Sequence, residues 1–462
     1  MSRLVIVSNR VADLRKKTQT GGLAVGLADA IRSRGGLWFG WNGKIEAEIP
    51  DEPSVTEIGN VKMVSAPLTR EDYDCFYVGY ANSVLWPLFH YRLDLVRNQD
   101  EAYAGYRRVN AYFARMLAQQ LQPDDVIWIH DYQLLTMALE LRRLGCRQRI
   151  GFFLHIPFPP HDVLSASPHH QDLLDALLSH DLVGFQTETD LENFRNCLEH
   201  IEHPDRAEAE ADAFPIGIDV DDFAKLAHHA SDDVLLDRIR RGILGRAQII
   251  GVDRLDYSKG LPERMRAFNR LLELYPEHQR AVSYLQIAPP TREDVSAYSD
   301  IRRELEGLAG AINGRHADFN WTPVKYIHRN VAREKLASLF RTSNVGLVTP
   351  LRDGMNLVAK EYVAAQDPEN PGVLVLSHFA GAAEQMREAL LVNPYDTDGV
   401  AKAIHHALAI PLDERQARHA ALLKRITEHD AQWWLETFLE RLAGCEHPAS
   451  SPALKGPRLA AI

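Results

Sequence analysis

Short runs of consecutive apolar residues recur along this chain. They lie at Leu4–Ser8, Val126–His130, Ile150–Ile156, Leu182–Gln186, Phe214–Ile218, Gln248–Asp253, Val282–Ala288, Val345–Pro350 and Val373–Ser377. Runs this short, without polar alternation, mark strands covered on both faces, as in parallel sheets. Segments with helical spacing separate them, among them Ala104–Gln120, Gln171–Leu178 and Arg264–Leu274. Strands alternating with helices predict an α/β chain of doubly wound, Rossmann-like sheets.

The alternation stops after Ile218. The next stretch, DVDDFAKLAHHASDDVLLDRIRRGIL, is polar and helical in character and holds no strand-like run. We therefore expect a first Rossmann-like domain over residues 1–225 and a second over 246–430, facing each other across a cleft. An amphipathic helix over 431–446, with Trp433 and Trp434, is expected to pack back across that cleft. A Pro-, Ala- and Ser-rich stretch over 447–462 reads as a flexible tail.

Composition narrows this picture. The chain has 462 residues, 45% hydrophobic and 25% charged, too long for one ordinary core. Its formal charge of −11 argues against a general nucleic-acid binder, yet leaves room for a local basic pocket that takes phosphorylated small molecules. Cys75, Cys146, Cys197 and Cys445 form no CxxC pair and read as reduced thiols. MSRLVIVSNR enters a strand at once, and no apolar run is long enough to cross a bilayer. A cytoplasmic protein without membrane partners is expected.

In open α/β sheets ligands bind beyond the carboxyl ends of the strands. Polar residues collect there: Arg10 after LVIVSN, Asp131 after VIWIH, His155 after IGFFL, Arg254 after QIIGVD, Lys259 on the same loop, Arg292 after YLQIAPPT and Asp353 after VGLVTPLR. One such residue is ordinary, since loops are polar. Seven, five of them Arg, Lys or His, describe a cationic cleft in an acidic protein.

Within LVTPLRDGMNLVAKEYVAAQ, Asp353 and Gly354 turn the chain and a helix is expected to start near Asn356. Gly354 would let the backbone come close to a ligand. The amides from Met355 to Val358 would be first-turn donors for a diphosphate, with Glu361 within reach of ribose hydroxyls. A plain helix capped by Asp353 or Asn356 fits equally well. In GVDRLDYSKGLPER, Pro262 suits the first turn of a helix starting near Leu261, leaving Arg254 and Lys259 on the preceding loop. Two cations there could stabilise a departing diphosphate with no metal or other cofactor. Gly21 and Gly22 form a weaker phosphate-approach signal. Trp41, Tyr77 and Trp86 could carry a sugar or simply pack. The Asp219-Val220-Asp221 triplet reads as a hinge or helix cap, not a metal site, and the histidine pairs 169–170, 228–229 and 405–406 read as solvated.

Read in order, VSNR, GGLAVGL, GLWFGW, NSVLWPLFHY, WIHDYQLL, GFFLHIPFP, GFQTE, PIGID, DRLDYSKGLPER and LRDGMNLVAKEYVAAQ resemble the trehalose-6-phosphate synthase family, its bacterial members most closely. The resemblance spans about residues 2 to 410 and implies a GT-B fold. It implies an acceptor phosphate held by Arg10, Tyr77 and Arg292, a pocket lined by Trp41 and Trp86, and an acceptor hydroxyl against Asp131. On the donor side it implies Gly21 and Gly22, a glucose contact at His155, a diphosphate clamp of Arg254 and Lys259, and a cradle of Asp353, Gly354, Met355, Asn356, Leu357 and Val358. Glu361 would take the ribose. Val331 stands near the base where family members often carry an aromatic. The activity implied is transfer of glucose, with retention, from a nucleoside-diphosphate glucose (UDP-glucose foremost) to glucose 6-phosphate. A homo-oligomer, dimer or tetramer, is also implied. The alternatives are a pseudo-glycosyltransferase coupling cyclitol substrates and a non-catalytic sugar-phosphate sensor.

Overall fold

A computed structural model describes residues 2–11, 14, 27–28, 31–32, 34–201, 209–229, 245–291 and 296–445. Among these residues the strands form two sheets. The first has the order β3-β4-β2-β1-β5-β6-β7-β8. Here β1 is Leu4–Arg10, β2 Gly36–Ile45, β3 Ser54–Ile58, β4 Val61–Leu68, β5 Val126–His130, β6 Arg149–Phe153, β7 Leu182–Phe185 and β8 Glu210–Ala213. All neighbours are parallel except β3, which returns antiparallel on β4. The second sheet is wholly parallel, in the order β11-β10-β9-β12-β13-β14. Its strands are β9 Ala247–Val252, β10 Val282–Ile287, β11 Val324–Ile327, β12 Val345–Val348, β13 Val373–Ser377 and β14 Leu390–Val392. Such α/β architecture in two parallel-sheet lobes is the expected fold class.

The unbroken apolar runs became strands because the centre of each sheet is covered on both faces. Every residue of β5 from Ile127 onward and all of β10 and β13 are buried. The run at Phe214–Ile218 is the exception. The strand there is the preceding Glu210–Ala213, and the apolar residues after it leave the sheet. They are buried because they run between the lobes, where Ile216 bonds to side chains rather than to a neighbouring strand. Strands β2, β3, β4, β11 and β14 carry polar or glycine positions or are very short, so no apolar run announced them.

The helices that matter for the cleft are α1 Asp100–Ala118, α2 Glu188–Leu198, α3 Val220–His229, α4 Leu261–Leu274, α5 Arg333–Arg341, α6 Leu357–Ala365, α7 Thr397–Ala409 and α8 Ala431–Gly444. A thirteen-residue π-helix, Tyr73–Leu85, was not anticipated. Its wide turn is reinforced by side chains that reach five residues back, Asn82 Nδ2 to Tyr77 O at 2.8 Å and Ser83 Oγ to Val78 O at 2.7 Å. π-Helices are rare and tend to sit at functional sites. In α3, Asp219 Oδ1 accepts from the Asp222 amide at 2.8 Å, a helix cap in place of a metal-binding triplet.

Helix α8 ends on the first sheet, although it follows the second in sequence. Phe438 stacks on Trp128 at 4.5 Å and lies over Gly151 and Gly184, where a Cβ would come within 2.8 and 2.7 Å of its ring. Trp434 packs beside it, 4.7 Å from Trp128. A Phe438→Ala substitution is therefore expected to cost about 3–5 kcal/mol, read as a lowered midpoint in denaturant unfolding. An unchanged midpoint would show that α8 is not anchored there.

Candidate active site

Strand order reverses between β1 and β5 in the first sheet and between β9 and β12 in the second, and these reversals are where an open α/β sheet leaves a crevice. Arg10 and Asp131 lie at the ends of β1 and β5. Arg254, Lys259 and Asp353 follow β9 and β12. The two crevices meet. The Arg254 guanidinium lies 5.8 Å from the Trp86 ring centre, and that of Arg352 lies 4.0 Å from Tyr91. A Cβ on Gly354 would fall 2.3 Å from the His155 carbonyl oxygen. The space kept free at Gly354 is thus filled by the first lobe, whereas the sequence reading gave it to a ligand.

On the second lobe a charged network ties the loops after β9 and β12 together. Buried Lys259 donates to Asp353. Asn356 Nδ2 reaches Asp353 Oδ2 at 3.0 Å and Asp253 Oδ1 at 3.2 Å. Asp253 also accepts from Arg264 at 2.9 Å, and Arg264 reaches Thr349 Oγ1 at 3.1 Å. Burial pushes the Asp253 carboxyl up, while Arg264 and Lys259 pull it down. Because the Asn356 side chain turns toward these acids, it does not cap α6. The amides of Leu357 and Val358 then open the helix with no carbonyl one turn back to bond, so they remain donors for an anion. The helix starts at Leu357 and has no side-chain cap from Asn356. Arg254 is exposed at the mouth. Met355 is buried, and its carbonyl accepts from the Ala382 amide at 2.9 Å.

The first lobe contributes aromatic walls. Exposed Arg10 lies over Trp41 at 5.5 Å, and Trp41 stands 6.3 Å from Tyr77, which stacks on Tyr73 at 5.4 Å. The π-helix sets both tyrosines on one face and delivers Trp86 at its end. Trp86 is buried between His90, at 4.2 Å, and Tyr132, at 5.5 Å, beneath Arg254. His90 Nδ1 lies 2.7 Å from the Trp86 carbonyl, and burial lowers its pKa to about 4.

Asp131 adopts φ 78°, and its Oδ1 accepts from the His155 amide at 3.2 Å. Among the described residues four non-glycine positions have positive φ, and three of them, Tyr91, Asp131 and Asn356, border this cleft. Each costs roughly 1–3 kcal/mol, a concentration typical of functional sites. His155 Nε2 lies 3.1 Å from His130 Nδ1, and burial lowers the His155 pKa to about 3, so the ring is neutral. Half-buried Glu361 has its pKa pushed up to about 7 by burial, with Arg333 pulling it down. Val331 is half-buried against the same core as Leu357 and Val358. Gly21, Gly22 and Arg292 lie outside the described residues.

His90, Arg264, His130 and Gln186 were not assigned roles from sequence. Each sits inside a quoted motif, yet a buried His or Gln gives no signal of its partners. Two of the supposedly solvated pairs also need correction: His169 stacks on Tyr103 at 3.7 Å, and His405 on Tyr275 at 3.8 Å, because flat rings at helix surfaces gain by covering one another. His405 also bonds His278 at 2.9 Å, and these two with Glu277 are the one His and carboxylate group close enough for a shared ion among the described residues.

A family model for Glycosyltransferase family 20 matches residues 3–444. A trehalose-6-phosphate synthase of Cronobacter sakazakii is 50% identical over 453 residues, covering 96% of this chain and 95% of its own. An alpha,alpha-trehalose-phosphate synthase (UDP-forming) from Burkholderia xenovorans, solved with glucose-6-phosphate, is 50% identical with a TM-score of 0.92, covering 96% of this chain and 100% of its own. An E. coli protein solved with UDP-2-fluoro glucose is 48% identical with a TM-score of 0.91, at the same coverage.

Proposed function

The chain belongs to glycosyltransferase family 20, and from that premise we propose that it transfers glucose from UDP-glucose to glucose 6-phosphate, giving α,α-trehalose 6-phosphate and UDP. The observation that carries this is the meeting of two sheet crevices, with Arg254, Lys259 and the open start of α6 on one side and Arg10, Trp41 and Tyr77 on the other. Each side offers positive charge to a phosphate.

In this reading Arg254, Lys259 and the amides opening α6 take up the charge that develops as the glucosyl C1–O bond to the diphosphate breaks. The anomeric oxygen of glucose 6-phosphate bonds to C1 from the face the diphosphate leaves. Its proton passes to the departing phosphate oxygen, so the α configuration is kept. The protein orients the two substrates and holds charge, with no metal ion assigned a part. Neutral His155 is suited to hydrogen bonding and not to acid catalysis.

The direct test offers UDP-, ADP- and GDP-glucose with glucose 6-phosphate and identifies the product. Trehalose 6-phosphate with UDP-glucose is the expected result, and no turnover with any donor sinks the proposal.

Glu361 gives a pH test of the ribose contact. Its raised pKa leaves part of the carboxyl protonated near pH 7, and an ionised carboxylate is the better acceptor for ribose hydroxyls. Donor binding then favours loss of that proton. Affinity for UDP-glucose should rise with pH through about 7, approaching tenfold per pH unit on the acid side, and level off above. The diphosphate of UDP-glucose is already ionised there. Calorimetric titration should show that Glu361→Gln binds more weakly and loses this dependence; an identical profile would remove Glu361 from the site.

A further inference from the structure

Gln186 directly follows β7 as a fully buried carboxamide, 2% exposed. Its Oε1 accepts from the Ile216 amide at 3.1 Å, on the segment that leaves the first lobe. An amide whose oxygen is held by an N–H must turn its NH2 the other way, and here Nε2 lies 3.4 Å from His155 Nδ1. Only a lone pair can face those hydrogens, so Nδ1 is unprotonated. The neutral ring then carries its proton on Nε2, which lies 3.1 Å from His130 Nδ1. The opposite tautomer would set two N–H groups against each other at Gln186.

The support of Gln186 reaches the other lobe. Ile216 O accepts from Lys360 Nζ at 2.7 Å, and Lys360 sits fully buried in the first half of α6, the helix whose start faces the cleft. A line of hydrogen bonds therefore runs from α6 through Lys360, Ile216 and Gln186 to His155.

We propose that Gln186 is a positioning residue that fixes His155 as the Nε2–H tautomer, so that the ring gives its one proton to His130 Nδ1 and borders the glucosyl group of the donor in one orientation and without charge. The proposal rests on the reading of this cleft as a glucosyl-transfer site. An uncharged ring there leaves the positive charge at Arg254 and Lys259, where the leaving group needs it. The titratable groups facing His155 are His130 from β5 and Asp131 at its end, while α8 and the second lobe present Trp434 and the Gly354 backbone.

The test uses the full chain as wild type, Gln186→Leu and Gln186→Glu. Nitrogen NMR of labelled histidine in the wild type should report His155 unprotonated at Nδ1; a proton at Nδ1 overturns the proposal without any substitution. Gln186→Leu should lower kcat at least about tenfold, with KM for glucose 6-phosphate within about twofold. Gln186→Glu gives Nδ1 an acceptor, moves the proton there and gives the imidazole an ion-pair partner. Its kcat should gain a titration near pH 6–7, the ordinary histidine range. Equal losses in both variants, with pH profiles parallel to wild type, would show a merely structural role and overturn the proposal. The reading of the cleft fails separately, if the wild type does not turn over UDP-glucose with glucose 6-phosphate.

Discussion

Arg254→Ala and Lys259→Ala are each expected to lower kcat by at least about 10²-fold, in an assay that follows UDP release at saturating substrates. A departing diphosphate gains negative charge mostly in the transition state, so a cation aimed at it acts on kcat more than on binding. The two variants should differ in stability. Arg254 is exposed and leans on Trp86, so its loss should leave the unfolding midpoint near that of the wild type. Lys259 is buried against Asp353, and removing it leaves that carboxylate in the same network as Asp253 without its ammonium partner. Lys259→Ala should therefore lose both turnover and stability. Activities of both variants within about a factor of two of wild type would end the metal-free account of leaving-group departure given above.

Gly354→Ala should be nearly as damaging, though it removes no charge. The added methyl would lie 2.3 Å from the His155 carbonyl oxygen, far inside van der Waals contact, and both neighbours are backbone that cannot swing aside. Gly381 repeats the problem one layer back, where a Cβ would fall 1.8 Å from Gly354 O. The loop from Asp353 to Asn356 would have to retreat from the first lobe, carrying Lys259's partner and the start of α6 with it. A displacement near 1 Å between reacting groups can cost about 10²-fold. The expected result is a comparable fall in kcat/KM for UDP-glucose, with glucose 6-phosphate binding to the first lobe much less affected. If steady-state kinetics of Gly354→Ala match the wild type, the lobes do not work at this separation.

Both predictions turn on how the lobes are joined. Glu384 of the second lobe accepts from the Glu188 and Thr189 amides, at 3.1 and 3.3 Å, at the start of α2 in the first. Arg352 covers Tyr91, and α8 returns from the second lobe to Trp128. An anionic carboxylate at a helix start is favourable with the helix dipole, and an arginine over an aromatic tolerates sliding.

Read alone, the sequence determined the class of fold and the residues at the strand ends. Val126–His130 and Val373–Ser377 are apolar because both faces are covered, and burial on both faces leaves a mark on every residue of a strand. The polar residues just beyond such strands follow from the same logic, so Arg10, Asp131, Arg254 and Asp353 could be picked out. The structure alone decided which of them meet. Phe214–Ile218 looked like a strand because apolar burial between lobes reads the same as burial in a sheet. The π-helix that sets Tyr73 and Tyr77 side by side has no periodicity of its own in the sequence. The cap that Asn356 withholds from α6, the carbonyl that fills the space at Gly354, and the hydrogen bonds that set the proton on His155 all join residues far apart in the chain. Local patterns record how much water a residue avoids, whereas hydrogen-bond partners are chosen by the packing of the two lobes.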